Sequence, residues 1–302
     1  MLRKVIQLGS ETLVVSLPSA WARQHRLRKG DELEAEEQGP KLVFYPKAEQ
    51  KPGKAVIDVS GTHPVTKRII AALYKAGYDE VDIVFESPEE LEIAEHTVRE
   101  EFVGFEIVSK TKRMIQARSI SESRHDEFNT LIRRVFLLLL EMGSECFKAI
   151  NSGSYAALEA IAGMDEDINR HVNFCRRSLN TIGHRIVGRV APSYHMVEQL
   201  ERAGDCYKHL CAYIARVRFA PSSALKELLA EANSFLRMFY ELYHKFSLAD
   251  ITQFWKEKER LEGVVSEAFE VAGKKEMPAM FLISELINNV AGANGALLTA
   301  RL

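Results

Sequence analysis

The period of the hydrophobic pattern changes twice along the chain. Residues 1–47 alternate in short β-branched runs. Arg3–Leu8 and Thr12–Leu17 read as strands joined by Gly9-Ser10-Glu11, and Glu32–Glu37 and Leu42–Tyr45 as a second pair around Gln38-Gly39-Pro40. Between the pairs, Pro18-Ser19 stops the second strand, Ser19 is placed to cap a short helix over Ala20–Leu27, and Gly30-Asp31 ends it. Residues 48–120 open on a linker composition, Ala48–Lys54 with Pro52-Gly53. A β-α-β-α-β-β series follows: strand Ala55–Val59, a helix from Pro64 to Ala76 stopped by Gly77, strand Val81–Phe85, a helix from Pro88 to about Phe102, and strands Phe105–Ser109 and Arg113–Arg118.

From Ser123 the strand signals vanish. Six amphipathic helices are expected over roughly 124–150, 154–187, 193–218, 222–246, 249–273 and 277–301, jointed at Ser152-Gly153-Ser154, Pro192-Ser193, Pro221-Ser222, near Asp250 and at Pro278. The apolar seam of the second, through Leu158, Ile161, Asp165, Ile168, Val172 and Cys175, recurs 93 residues on through Ile251, Phe254, Lys258, Leu261, Val265 and Ala268. Two copies of a three-helix unit in one bundle account for it. The expected fold class is therefore multidomain α+β: a hairpin module at 1–47, a small α/β middle domain at 48–120 and an all-α bundle at 121–302.

Composition narrows the function. Acidic and basic residues nearly balance, 42 against 40, so a polyanion-binding surface must be local. It is concentrated at the start: through Lys29 there are six basic residues and one acid, a net of +5, whereas residues 30–47 carry a net of −3. A module of fewer than fifty residues with so few apolar side chains cannot bury enough surface alone, so an intertwined homodimer is expected, which doubles the basic face presented to DNA phosphates. The longest aliphatic-aromatic run, Val135–Leu140, is too short to span a bilayer, and no leader pattern precedes the first strand; a soluble cytoplasmic protein without membrane insertion is the expectation. Cys146, Cys175, Cys206 and Cys211 lie in helical patterns without a Cys-x-x-Cys pair and read as reduced thiols. No nucleotide loop, nucleophile elbow or His-Glu-x-x-His points to an enzyme; His63 and His96 read as exposed, and the middle segment as a spacer or dimer support.

One polar feature interrupts the helical seams. Asp165 occupies a core-facing step, Asn169 follows one turn on, and Glu201 and Asp205 sit one turn apart beside the seam of the third helix. Unpaired, a buried carboxylate is costly, so the three carboxylates need a cation, with Asn169 as a neutral oxygen ligand or amide beside them. Two readings are open. Facing-helix carboxylates can hold a divalent or trivalent metal such as iron, manganese or zinc, with His171 and His209 as further ligands. Alternatively Arg170, Arg176, Arg202 or Lys258 supplies an ion-pair network.

Two resemblances then apply. Leu8-Gly9-Ser10, Leu13-Val14-Val15-Ser16-Leu17-Pro18, Trp21-Ala22 and Leu27-Arg28-Lys29-Gly30-Asp31-Glu32-Leu33 resemble the swapped-hairpin DNA-binding module of the AbrB/MazE/SpoVT family. That resemblance implies an obligate dimer that meets DNA through Arg3, Lys4, Arg23, Arg26 and Arg28. Asp165-Glu-Asp-Ile-Asn-Arg170 and Leu200-Glu-Arg-Ala-Gly-Asp205 resemble the paired helical motifs of PhoU-family phosphate uptake regulators, specifically archaeal-type chains in which an AbrB-like module precedes the bundle. The family's motif is an acid, three residues and an aspartate, whose carboxylates bind metal; Glu201/Asp205 match it, Asp165/Asn169 match half, and the second repeat at Glu285/Asn289 keeps one acid. Together these imply a DNA-binding transcriptional regulator of phosphate uptake or homeostasis. The alternative is an adaptor that docks on a phosphate transporter or signalling protein without DNA.

Overall fold

The computed structural model describes residues 2–38, 41–46, 53–120, 125–186 and 189–302, and the chain divides into two compact units, Met1–Gly53 and Lys54–Leu302. The expected turn at Gly39-Pro40 and most of the linker lie outside the described residues.

In the first unit, β1 (Val5–Leu8) and β2 (Thr12–Val15) form an antiparallel hairpin with Val5 opposite Val15 and Leu8 opposite Thr12. Gly9 makes the turn at φ 82°, a left-handed conformation that glycine adopts without steric cost. Helix α1 spans Ser19–Gln24, followed by the antiparallel pair β3 (Leu33–Gln38) and β4 (Lys41–Pro46). The expected Ser19 cap is not formed: Pro18 holds the N-cap position and Ser19 is already helical, because the chain leaves the strand at the proline. Among the described residues of this unit no side chain is buried. Val5, Ile6, Leu8 and Leu13 are 56 to 68% exposed.

The second unit begins with β5 (Lys54–Asp58), α2 (Thr66–Ala76), β6 (Glu80–Val84) and α3 (Pro88–His96), then a π-helical turn (Thr97–Glu101), β7 (Phe105–Lys110) and β8 (Met114–Ser119). The sheet order is β5-β6-β8-β7, with β5 and β6 parallel and the remaining pairs antiparallel. Alternation puts Val81, Ile83, Ile115, Ala117 and Phe105 into one core with Ile70 and Tyr74 of α2 and Ala94 of α3. The helix expected to reach Phe102 stops being α-helical at His96; the Thr97 hydroxyl donates to the Ile93 carbonyl at 2.6 Å where the turn widens. At the start of α3, Ser87 and Glu90 form a capping box, and the Glu90 carboxylate also accepts from the Gly61 backbone N–H at 2.6 Å, tying the two loops together. Three backbone amides hold that carboxyl down to about 2.

The helical half contains α4 (His125–Ser152), α5 (Tyr155–Gly163), α6 (Asp165–Ile186), α7 (Val190–Val217), α8 (Ser223–His244), α9 (Leu248–Val271) and α10 (Met277–Arg301). The helix expected over 154–187 is therefore two, with Met164 between them. Asp165-Glu166-Asp167 form the first turn of α6, where the partial positive charge of the exposed N–H groups favours acids. Helix α7 starts at Val190, three residues before the expected Ser193. Pro192 in its first turn removes no hydrogen bond there, because the first N–H groups have no partner inside the helix. Ser154, Ser222 and Ser247 each accept a backbone N–H three residues on as helix caps. The bundle has its own core, which includes Phe136, Met142, Tyr207, Phe235, Phe239 and Phe254.

The two cores are joined where α6 crosses the C-terminal end of α2. Arg177, 3% exposed, donates to the backbone carbonyls of Tyr74 (3.0 Å) and Tyr78 (2.7 Å) and pairs with Asp79. Its guanidinium lies 5.2 Å from the Tyr74 ring and 5.1 Å from the Phe105 ring. The contact requires Gly77: it takes the left-handed cap of α2 at φ 99°, and a Cβ there would lie 2.5 Å from Thr181 Cγ2. Among the described residues no helix is long and apolar enough to cross a membrane.

Candidate functional site

Arg3, Lys4, Arg23, Arg26, Arg28 and Lys29 of the first unit are exposed. Arg3 and Lys4 precede β1, Arg23 lies in the last turn of α1, and Arg26 and Arg28 follow it. Their local supports are backbone bonds: Arg26 N–H to Arg23 O at 3.1 Å, Leu27 N–H to Ala22 O at 2.9 Å, and Arg28 N–H to the Asp31 carboxylate at 2.6 Å. Arg26 is in the left-handed region at φ 54°. For an L-residue that conformation costs roughly 1–2 kcal/mol, and glycine or asparagine is the usual occupant.

The acidic residues of the bundle come together as two ion-paired groups. Asp165, 2% exposed, accepts at Oδ2 from Lys208 Nζ (2.7 Å) and Asn169 Nδ2 (2.7 Å); Lys208 also donates to Asp205 Oδ1 (3.1 Å). Glu201 points elsewhere. Its Oε2 is 3.5 Å from Arg176 Nη2, and Arg176 donates at 2.5 Å to Glu198 and at 3.1 Å to Asn173. Burial pushes the Asp165 carboxyl up despite the pull of Lys208, and burial likewise raises Glu201 against the pull of Arg176. Gly204, where a Cβ would sit 3.4 Å from Asp165 Oδ1, lets α7 approach the first turn of α6.

As arranged, these residues do not fit a metal ion. The ammonium of Lys208 already lies between Asp165 and Asp205, and Glu201 is turned to a guanidinium. Among the described residues no group of three or more His, Cys, Asp or Glu is placed to hold a metal. His171 Nδ1 lies 2.5 Å from the backbone carbonyl oxygen of Asp167, and His209 is exposed. Of the cations the sequence offered, Arg176 takes part, whereas Lys258 pairs with Glu262 on its own helix. Lys208 escaped the sequence reading, although it stands three residues from Asp205 and seven from Glu201 on the same face. One Asp165 oxygen, Oδ1, is buried without a hydrogen-bond partner.

All four cysteines are free and buried; Cys146 and Cys211 bring their sulfurs to 3.3 Å, and burial pushes the Cys175 and Cys206 thiols up to about 12. They are packing groups in this state, since the thiolate is the reactive form. His63 and His96 are exposed beside a cleft between α2 and α3.

Residues 6–51 match the family described as antidote-toxin recognition MazE, bacterial antitoxin. The N-terminal unit is thus a MazE/AbrB-like module. No curated protein and no solved structure matches the chain.

Proposed function

We propose that the chain is a homodimeric DNA-binding transcriptional regulator whose helical half responds to a partner or ligand. The observation that carries this reading is the state of the MazE-like module: its hairpin strands expose apolar side chains that a second copy would cover, while Arg3, Lys4, Arg23, Arg26 and Arg28 are each exposed, one of them in a left-handed conformation. Swapped pairing of two modules would bury the first set and double the second. Phosphates of duplex DNA suit such a surface because each neutralised phosphate releases a counterion.

A link to phosphate uptake rests on the PhoU resemblance of the α6 and α7 segments and on the order of the two modules. Within that reading the Asp165–Lys208–Asp205 group works as an internal ion pair. A salt-titrated mobility-shift assay on operator fragments tests the DNA role. Each phosphate contact contributes about −0.9 to the slope of log K against log salt. The double variant Arg23→Ala/Arg26→Ala should therefore weaken binding across sequences and flatten the slope by about 4 for the two copies. No binding at low salt, or an unchanged slope, overturns the proposal; capture of a transporter ATPase without DNA affinity would favour the adaptor.

A further inference from the structure

Besides Arg26, Arg218 is the only described non-glycine residue in the left-handed region. It ends α7 at φ 49°, ψ 67°, with its N–H donating to the Ile214 carbonyl at 2.9 Å. Glycine would close the same helix end without strain. Two positions earlier, within the helix, Arg216 would project to a different side, because residues two apart do not share a helical face. The left-handed turn at 218 brings both arginines to one cleft of about 560 Å³, floored by Ala162, Ala212 and Ala215 and bordered by a single acid, Glu159.

Both guanidiniums lie over aromatic rings. Arg216 lies 5.9 Å from the Tyr213 ring and Arg218 lies 5.7 Å from the Tyr155 ring. Each ring is in turn fixed by its hydroxyl, Tyr213 donating to the Lys275 carbonyl at 2.9 Å and Tyr155 to the Phe219 carbonyl at 3.3 Å. An arginine beside an aromatic face still has N–H groups to offer an anion, and fixing the ring reduces the ordering cost of binding. A single charge at a helix C-terminus is sufficient to offset the helix dipole, and Arg216 in the last turn already does so. The second, strained arginine has no such structural duty.

We propose that the cleft bounded by Arg216, Arg218 and Glu159 binds a phosphoryl dianion, the two guanidiniums gripping its oxygens and the alanine floor receiving the body of a small phosphomonoester. The shared chemistry is the phosphoryl group, free or esterified. Its volume falls within the range of small-molecule sites. Glu159 opposes a bare anion by like charge and can accept hydrogen bonds from hydroxyls on an ester. The inference goes beyond the DNA-binding reading and does not depend on it.

Calorimetric titration of the full chain with orthophosphate, ribose 5-phosphate and adenosine 5′-monophosphate at low ionic strength is the test. At least one probe should bind with a Kd below about 1 mM, and Arg216→Ala and Arg218→Gly should each weaken it by about tenfold or more. Glu159→Gln should tighten orthophosphate by several-fold, an effect of opposite sign that misfolding does not produce. Arg218→Gly should melt no lower than the wild type, since it relieves the left-handed strain. Tighter binding of the esters assigns the site to an organic phosphomonoester; equal binding assigns it to free phosphate. Absence of binding by all three probes, or affinity unchanged in either arginine variant, overturns the proposal.

Discussion

The N-terminal unit and the Lys54–Leu302 unit solve the problem of burial in opposite ways. The first has paired strands and a short helix, yet none of its described side chains is buried; the second closes two cores and links them through a buried arginine. Hydrophobic stabilisation scales with apolar area removed from water, at roughly 25 cal/mol per Å². One unit obtains that area within the chain. In the proposed dimer the other obtains it between chains, which would make its fold and its assembly a single equilibrium.

The largest test of this contrast is to place a charge on the bare hairpin. Leu13→Asp should raise the dimer dissociation constant by about a hundredfold or more, because a carboxylate cannot be covered by an apolar partner strand. Sedimentation equilibrium reads the loss, while the thermal transition of the larger unit stays in place. A dimer of unchanged strength would break the comparison, since it would put the interface elsewhere.

The junction inside the larger unit is the next test. Arg177→Ala leaves the Asp79 carboxylate without its partner and removes donors from the Tyr74 and Tyr78 carbonyls. Asp79 is 38% exposed and regains water, so the cost, about 2–4 kcal/mol, comes mainly from the carbonyls left without a donor. Denaturant unfolding of the variant should separate the sheet layer from the bundle, giving two transitions where the wild type gives one for this unit. A single transition at the wild-type midpoint would show that the two cores do not depend on Arg177.

The smallest effect sharpens the role of the acidic cluster. Lys208→Met should cost about 1–3 kcal/mol at neutral pH, because Lys208 is partly exposed and water screens part of its attraction. Asp165 already has its carboxyl raised by burial, so its contribution to stability is fully present below its unfolded value and is lost as pH rises through the folded one. Loss of the lysine raises the folded value further. The deficit of the variant should therefore shrink as pH falls from neutrality and the carboxyl takes up its proton, measured as the difference in melting temperature against wild type. A deficit independent of pH would detach Lys208 from Asp165.

Much of the architecture was legible in local pattern. Period-two alternation and the Leu17-Pro18 stop give the hairpin module, and Gly77 ends α2 where the sequence places it. The β-α-β-α-β-β order of the middle segment is likewise read directly. The split of the second expected helix was harder to see, because Leu158, Ile161, Asp165 and Ile168 keep helical spacing across the break. Only the acidic run at 165–167, a first-turn signature, marks it. Likewise, the four acidic-cluster residues were picked out by their seam positions, but their partners were not.

What the sequence determined alone is what depends on neighbours along the chain: element type, the serine caps of α5 and α8, the charge asymmetry of the first module and its shortage of core. The tertiary structure decided which charges meet. Glu201 and Asp205, one turn apart on α7, belong to different cations because Arg176 reaches Glu201 from α6 whereas Lys208, on α7 itself, bridges Asp205 to Asp165 of α6, and Arg177 binds carbonyls about a hundred residues earlier. A side-chain ion pair is settled by a few ångströms of approach between packed helices, and such distances depend on the whole core.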